Sequence, residues 1–361
     1  MKKITIVGGG NIGTQFTVHF SELGYSVYLY TSHPNDFRNT MVIVNEKDEI
    51  IHTSKEFIAT NDKYLAFTNS DLIIVTLPAF ELEKFAKDYE SFAYKGGKIL
   101  VIPGTGGAEW AFSNCIKKGV ELYGLQRVPS VARIVELGTS VRATGYRKTI
   151  FLGSVNAKNE NLRYLCEVLS KCFKIECISL QNYLSVTLTP SNPILHTSRL
   201  YSIFNDYDCT TPYKTIPLFY EDWTDTSSKV LLRMDDELQN ICTNLKEFDL
   251  SNVLSLKKHY ESENFEQLTK KIKSITGFKG LKTPSIRIND GYVPDFTSRY
   301  FKADFPYGLA ILIQIAHLMK IETPEMDKVY SWYKKIQPDV EEFSLAKYGI
   351  TNRNQFIDFY K

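Results

Sequence analysis

The amino terminus constrains the fold of this chain more than any other segment, because the sequence KITIVGGGNIG runs from a β-branched stretch directly into glycines. The glycines have the G-x-G-x-x-G spacing, and a helical pattern follows as far as Gly24. In such a turn the first glycine permits the bend, the second admits a pyrophosphate, and the third lets the helix pack on the strand. Amides at the helix start then bind phosphate. This context predicts a dinucleotide site rather than a purely structural turn, with contacts from Gly8, Gly10, Asn11, Ile12 and Gly13.

Short apolar runs recur through the first half of the chain. They are YSVYLYT, DLIIVTLP, GKILVIPG, YGLQRVP and TIFLG. Continuous runs of this kind, separated by helical stretches, are typical of a parallel sheet that is buried on both faces. At 361 residues the chain is also long enough for two domains. We therefore predict a Rossmann-type, doubly wound α/β domain over residues 1–183.

The pattern changes after about residue 180. Residues 225–245 open with a cluster of capping residues and then repeat apolar side chains at helical spacing. Residues 306–320 begin with Pro306 and are apolar almost all round, which predicts a buried helix in which His317 is packed. We predict an all-α helical domain over residues 184–361.

The end of the second strand bears on the choice of cofactor. An NAD site usually has a carboxylate about 18–20 residues beyond the glycines, for the ribose 2′-hydroxyl. Here Thr31 and Ser32 end the strand and Arg38 follows, while we place Asp36 beyond the turn. Hydroxyls and a guanidinium suit a 2′-phosphate. The sequence therefore favours NADP(H), with NAD(H) as the alternative.

The ends of two later strands should also border the cofactor, because ligands of such sheets bind at the carboxyl ends of the strands. The residues that we expect at these strand ends are Thr76, Leu77, Pro78 and Gly104. For Pro78 and Gly104, an ordinary role in a turn is an equally good explanation.

Composition excludes several classes of partner. A net charge of +2, from 43 basic and 41 acidic residues, provides no footprint for nucleic acid or an anionic membrane. The six cysteines include no C-x-x-C pair, so we expect reduced thiols and no metal. The longest apolar segments, near 72–80 and 309–319, are too short to span a bilayer. We expect a soluble cytoplasmic protein that acts on small molecules.

Hydride chemistry on a C=O or C=N bond also needs a proton donor, and histidine is the commonest one. His196 lies in SVTLTPSNPILHTSRL, where the first predicted domain passes into the second and where clefts usually form. A distant segment, FTSRYFKADFPYGL, offers Asp304 to orient an imidazolium, although Asp304 also fits a helix cap. Arg299 precedes it in a predicted extended or loop segment and suits a substrate carboxylate.

These segments resemble the octopine/nopaline (opine) dehydrogenase family, and in particular bacterial N-(1-carboxyethyl)amino-acid dehydrogenases. The resemblance rests on GGGNIG, PGTGGAEWAF at 103–112, TLTPSNPILH at 187–196 and SRYFKADFPYGL at 298–309. It implies that the α-amine of an amino acid condenses with a 2-oxo acid such as pyruvate, and that NAD(P)H reduces the C=N bond. By the same resemblance His196 is the acid/base, Asp304 its partner, Arg299 a carboxylate anchor and Asn192 a positioning residue.

Two other functions stay open at this point. One is an NADP-dependent reductase of a 2-oxo acid or ketone, of the ketopantoate or glycerol-phosphate type. Such enzymes usually place a lysine as proton donor, and residues 185–200 contain none. The other is a dinucleotide-binding sensor without catalysis. The assembly that we consider is a homodimer, although the sequence does not decide the oligomeric state.

Overall fold

A computed structural model describes residues 1–341 and 343–361 of the chain. The chain divides into two units, Met1–Thr187 and Leu188–Lys361. The first unit extends four residues beyond the predicted boundary at 183. The reason is that residues 184–187 form a short helix that packs on the first unit's own sheet.

The first unit contains twelve strands. They are β1 (Lys3–Val7), β2 (Ser26–Tyr30), β3 (Val42–Val44), β4 (Ile50–Thr53), β5 (Ile58–Thr60), β6 (Leu72–Val75), β7 (Lys98–Val101), β8 (Glu121–Leu125), β9 (Val131–Glu136), β10 (Ser140–Thr144), β11 (Thr149–Ser154) and β12 (Glu176–Ser179). Its helices are α1 (Asn11–Glu22), α2 (Lys63–Phe67), α3 (Ala79–Tyr89), α4 (Ala108–Ala111), α5 (Ser113–Lys117), α6 (Asn159–Phe173) and α7 (Leu184–Thr187).

Eight strands form the main sheet, in the order β12-β11-β8-β7-β6-β1-β2-β5. The run from β5 to β8 is parallel and has the 3-2-1-4-5-6 order of dinucleotide-binding sheets. All residues of β6 and of β8 are buried, as expected for central strands with helices on both faces. The predicted Rossmann-type domain is confirmed, with one exception to the parallel arrangement: β11 pairs antiparallel with β8.

A second sheet, which the sequence reasoning missed, has the order β4-β3-β10-β9. All four of its strands pack against α1. These strands give a weaker sequence signal than the main sheet, because β3 has only three residues and β4, β9 and β10 include polar or exposed residues.

The second unit is built mainly from helices. They are α8 (Asn192–Phe204), α9 (Asp225–Asn244), α10 (Leu256–His259), α11 (Phe265–Ser274), α12 (Arg299–Lys302), α13 (Ala310–Leu318), α14 (Pro324–Ile336) and α15 (Arg353–Phe359). The predicted all-α domain also contains a hairpin of β13 (Ser285–Ile288) and β14 (Gly291–Pro294). In the hairpin Ile286 pairs with Val293, and β-branched residues favour such pairs.

The predicted helix over 306–320 is divided into two parts. Phe305–Leu309 forms a π-helical turn that contains Pro306, and α13 follows it. Proline has no amide hydrogen, which favours an irregular first turn. The prediction that His317 is packed is wrong, because its side chain is 63% exposed at the end of α13, with Asp327 3.9 Å away. Within the described residues, no helix combines the length and apolar character that a membrane span requires.

Candidate active site

The glycine turn between β1 and α1 has the geometry that its sequence predicts. Gly8 has a φ of +100°, which a side chain would strain, and its amide donates to the Tyr30 carbonyl at 2.9 Å. A Cβ at Gly13 would lie 1.7 Å from the Gly8 carbonyl oxygen, so only glycine lets the helix approach the strand this closely. At Gly10 a Cβ would meet no atom within 4 Å. The open backbone at Gly10, at the start of α1, fits a dinucleotide pyrophosphate.

The neighbouring predicted residues mostly support this turn. The Thr76 hydroxyl donates to the carbonyls of Val7 and Gly8, at 2.9 and 3.2 Å, and the Leu77 side chain lies against Gly8. Pro78 stands at the start of α3. The Asn11 side-chain oxygen accepts from the Ile134 amide at 2.7 Å, which ties α1 to β9.

Gly104 has a packing role. A Cβ there would lie 2.6 Å from the Gly124 Cα and 2.9 Å from the Tyr183 hydroxyl. That hydroxyl also donates to the Gly104 carbonyl at 2.8 Å. The close approach of these groups accounts for the glycine without a ligand, so its contact with the cofactor stays a prediction.

The residues that bear on the cofactor's ribose follow β2. The Ser32 hydroxyl lies 2.8 Å from Nδ1 of His33, and the Thr31 hydroxyl accepts from the His33 amide at 3.4 Å. The Arg38 guanidinium lies 3.5 Å from the Glu136 carboxylate, and both side chains are more than half exposed. An exposed ion pair of this kind contributes little to stability. The Arg38 side chain can therefore leave Glu136 and turn toward an anion at low cost.

A buried polar cluster occupies the second unit. Nδ1 of His196 lies 2.7 Å from Oδ2 of Asp304, and Nε2 lies 2.8 Å from the Tyr220 hydroxyl. His196 is 4% exposed and Asp304 9% exposed. An Nδ1–H that donates to the carboxylate leaves Nε2 with the lone pair, next to the Tyr220 hydroxyl. This arrangement suits an imidazole that accepts and returns a proton through Nε2.

The contact between α8 and the π-helical turn positions the two members of this pair. Pro193 lies in the first turn of α8, and a Cβ at Gly308 would lie only 3.0 Å from the Pro193 Cβ. Asp304 immediately precedes the π-helical turn, but its side chain forms no capping bond there and contacts His196 instead. A role as a helix cap therefore does not explain the position of the Asp304 side chain. Asn192 is the first residue of α8.

Aromatic rings surround His196. The Tyr300 ring lies 4.4 Å from the imidazole, measured between centroids, and the Phe219 ring lies 5.6 Å away. Apolar surroundings of this kind strengthen the hydrogen bonds of the imidazole. The sequence reasoning missed Tyr220 and Tyr300 as individual residues, although each lies in a segment that it had singled out.

A buried cation, also missed from the sequence, holds the segment that carries Tyr220. The Arg199 guanidinium donates to the carbonyls of Leu218, Phe219 and Asp222 at 2.8–3.1 Å. Burial lowers the pKa of Arg199 to about 10, so it stays charged at neutral pH. Arg199 thus acts as a backbone anchor for this segment.

Arg299, the predicted carboxylate anchor, is the first residue of α12. The expected extended or loop conformation is wrong, since residues 299–302 are helical. Its side chain is exposed, with the guanidinium 6.0 Å from the Tyr300 ring centroid. An exposed guanidinium beside the His196 cluster retains the donors that a carboxylate needs.

Comparison with known proteins agrees with both units. A model described as NAD/NADP octopine/nopaline dehydrogenase, alpha-helical domain, matches residues 179–337, and one for ketopantoate reductase PanE/ApbA matches residues 4–157. Tauropine dehydrogenase of Arabella iricolor is 27% identical over 93% of this chain and 91% of its own length. Octopine dehydrogenase of Mizuhopecten yessoensis is 24% identical over 91% and 88%.

Solved structures share the fold. Octopine dehydrogenase with NADH and L-arginine has a TM-score of 0.83 at 18% identity, covering 100% of this chain and 99% of that one. Yersinopine dehydrogenase with NADP⁺ has a TM-score of 0.66 at 12% identity, covering 100% and 98%. The chain is thus a two-domain, nicotinamide-dinucleotide-dependent oxidoreductase. Its helical unit matches the octopine/nopaline dehydrogenase model, and the resemblance to opine dehydrogenases seen in the sequence is confirmed.

Proposed function

We propose that this enzyme condenses the α-amine of an amino acid with a 2-oxo acid, pyruvate first among candidates, and reduces the resulting C=N bond with NAD(P)H. The product is an N-(carboxyalkyl)amino acid, and the reverse oxidation uses the same groups. The observation that carries the proposal is the buried His196–Asp304 hydrogen bond of 2.7 Å in the helical unit. The family of the helical unit and the substrates in the octopine dehydrogenase structures, L-arginine and pyruvate, support it.

In this proposal His196 transfers protons through Nε2. It first accepts a proton from the amino-acid ammonium, which makes the amine nucleophilic toward the 2-oxo acid, and condensation releases water. It then returns a proton to the imine nitrogen while carbon gains hydride, which yields the secondary amine. A bound nicotinamide cofactor supplies that hydride. Asp304 stabilises the charged imidazolium and keeps the tautomer, and Tyr220 stands beside Nε2.

The two substrates each bring a carboxylate, so the site needs cationic groups. We propose Arg299 as one anchor, because its exposed guanidinium lies close to Tyr300, which packs on His196. We assign Asn192, at the start of the same helix as His196, a positioning role.

For the cofactor we propose a preference for NADP(H) over NAD(H). Thr31, Ser32 and Arg38 follow β2, and the weak, exposed Arg38–Glu136 pair leaves the guanidinium available for a 2′-phosphate. In the relatives both forms occur, since octopine dehydrogenase was solved with NADH and yersinopine dehydrogenase with NADP⁺. We also propose that the enzyme is a homodimer. Light scattering at the protein concentrations of the assay tests this proposal.

The deciding experiment follows the oxidation of NADPH and NADH in a matrix of amino acids against 2-oxo acids. We expect turnover only when both substrates are present. His196→Ala should lower kcat by about 10² to 10⁴-fold while the protein still binds cofactor. Undiminished turnover of the variant would remove the proposed role of His196.

The same matrix tests the two alternatives. The match of residues 4–157 to ketopantoate reductase supports the alternative of a reductase that acts on a 2-oxo acid without an amine. Full turnover with pyruvate and no amine would favour that reductase over an opine dehydrogenase. Cofactor binding without turnover on any pair of substrates would favour a sensor.

A further inference from the structure

A second cluster of polar residues lies within the first unit, apart from the glycine turn. It consists of His19 and Glu22 on α1 and His52 on β4. One ligand atom from each residue, a ring nitrogen or a carboxylate oxygen, lies within 4.8 Å of the others. Nδ1 of His52 is 2.7 Å from Oε2 of Glu22, and the two imidazole rings are 4.5 Å apart between centroids.

His19 is the unusual member of this cluster. It is 2% exposed, yet its Nδ1 has no hydrogen-bond partner among the described residues. Its other nitrogen, Nε2, lies 3.4 Å from the Tyr146 hydroxyl. A buried polar atom without a partner costs about 1–3 kcal/mol, so this nitrogen calls for an explanation.

The surroundings of His19 keep its ring neutral. Burial of the His19 side chain disfavours a charged ring, and Lys174 is a nearby cation that adds to this effect. A neutral imidazole with a free lone pair is the form that binds a metal. Nε2–H can then donate to Tyr146, in the way that metal-bound histidines usually use their second nitrogen.

We propose that His19, Glu22 and His52 form a site for a divalent transition-metal ion, with Zn²⁺ as the preferred ion. The two imidazoles are borderline ligands that suit Zn²⁺, Co²⁺ or Ni²⁺, and zinc also accepts a carboxylate, whereas Mg²⁺ and Ca²⁺ prefer a shell of oxygen ligands. Three protein ligands leave the fourth tetrahedral position to water.

The site requires the side chains to shift, outward for the His52–Glu22 pair at 2.7 Å and inward for the widest pair. Tetrahedral ligands of zinc lie about 3.4 Å apart, given bonds of about 2.1 Å, and the widest separation in the cluster is 4.8 Å. Glu22 and His52 are half-buried, which gives their side chains room to move. The Lys174 charge opposes a cation, and the Glu22 carboxylate offsets it.

A bound ion would link α1 to β4 of the second sheet. The glycine turn lies at the amino end of α1, whereas His19 and Glu22 lie in the last turn of this helix. We therefore expect the ion to stabilise the first unit without entering the reaction. The sequence analysis predicted no metal because the cysteines lack the spacing of a metal site. The ligands proposed here lie on a helix and a strand, with Glu22 and His52 30 residues apart, so no local spacing reveals them.

The test uses the full chain after removal of metal with a chelator. Binding of Zn²⁺ is measured by calorimetry, and Co²⁺ is used as a spectroscopic probe. We expect one equivalent of ion per chain, Co²⁺ bands typical of nitrogen and oxygen ligands, and a melting temperature that rises with Zn²⁺ concentration. His52→Gln and Glu22→Gln should each weaken binding by at least about tenfold.

A matched control is His317→Gln, which removes another histidine that lies near an acid, 3.9 Å from Asp327 at the surface. It should bind Zn²⁺ as the wild type does. Melting curves of the metal-free variants show whether each one is folded. Equal binding by wild type and His52→Gln, absence of binding by the wild type, or a thiolate-to-cobalt charge-transfer band would overturn the proposal.

Discussion

Replacing Asp304 by asparagine removes the charge beside His196 but keeps the shape of the side chain. Oδ2 of Asp304 now accepts from Nδ1 at 2.7 Å. An asparagine amide can instead donate to Nδ1, which moves the ring proton to Nε2 and removes the lone pair that faces Tyr220. We expect a folded enzyme whose imidazole is in the wrong tautomer and whose protonated form lacks a counter-charge.

The magnitude follows from the burial of the pair. The side chains of His196 and Asp304 are only 5% and 12% exposed, so solvent screens the interaction weakly. Removal of one partner of a buried ion pair costs about 3–5 kcal/mol. If this loss is confined to the protonated state of His196, kcat should fall by about 150-fold to 5,000-fold.

The assay measures kcat and KM for the amino acid and the 2-oxo acid, with NADPH at saturation. We expect the loss mainly in kcat, with the dissociation constant of NADPH unchanged because the glycine turn is intact. Asp304→Glu, which keeps the charge, serves as the matched variant and should retain more activity than Asp304→Asn. A kcat for Asp304→Asn within threefold of wild type, in a protein with a normal melting curve, would refute this reasoning.

Four further substitutions test the cofactor site and the helical unit. Gly13→Ala should unfold or severely destabilise the turn, because its Cβ would lie 1.7 Å from a backbone oxygen. Gly10→Ala, in contrast, should have a normal melting curve but bind dinucleotide at least about tenfold more weakly in a fluorescence titration. Arg38→Ala should lower kcat/KM for NADPH by about tenfold or more and leave NADH unaffected; equal losses for both would contradict the proposed phosphate contact. Burial raises the pKa of Asp235 to about 6, so the folded protein holds a proton that the unfolded chain releases near pH 4, and stability falls as pH rises across that window. Asp235→Asn should therefore stabilise the protein at pH 7.5 by about 1–3 kcal/mol and have little effect below pH 4, as denaturant unfolding at both pH values would show.

Local features of the sequence predicted much of the first unit. The roles of Gly8 and Gly13 depend on neighbours within one strand, turn and helix, so their spacing alone indicates the conformation. The strands of the main sheet carry continuous apolar runs because they are buried on both faces. In the second sheet, β3 is only three residues long and β4, β9 and β10 include polar or exposed residues, and no local pattern records that all four pack on α1.

The sequence alone predicted a dinucleotide-binding α/β unit and a helical unit, and the family resemblance predicted that His196 and Asp304 act as partners. The folded chain supplies the geometry: these two residues, 108 residues apart, share a direct hydrogen bond, and Tyr220 lies at the other ring nitrogen. The His19 cluster likewise exists only because β4 packs on α1. The physical reason is the range of the interactions: backbone preferences and hydrophobic periodicity act over a few residues, whereas side-chain hydrogen bonds join whatever the packing brings within about 3 Å.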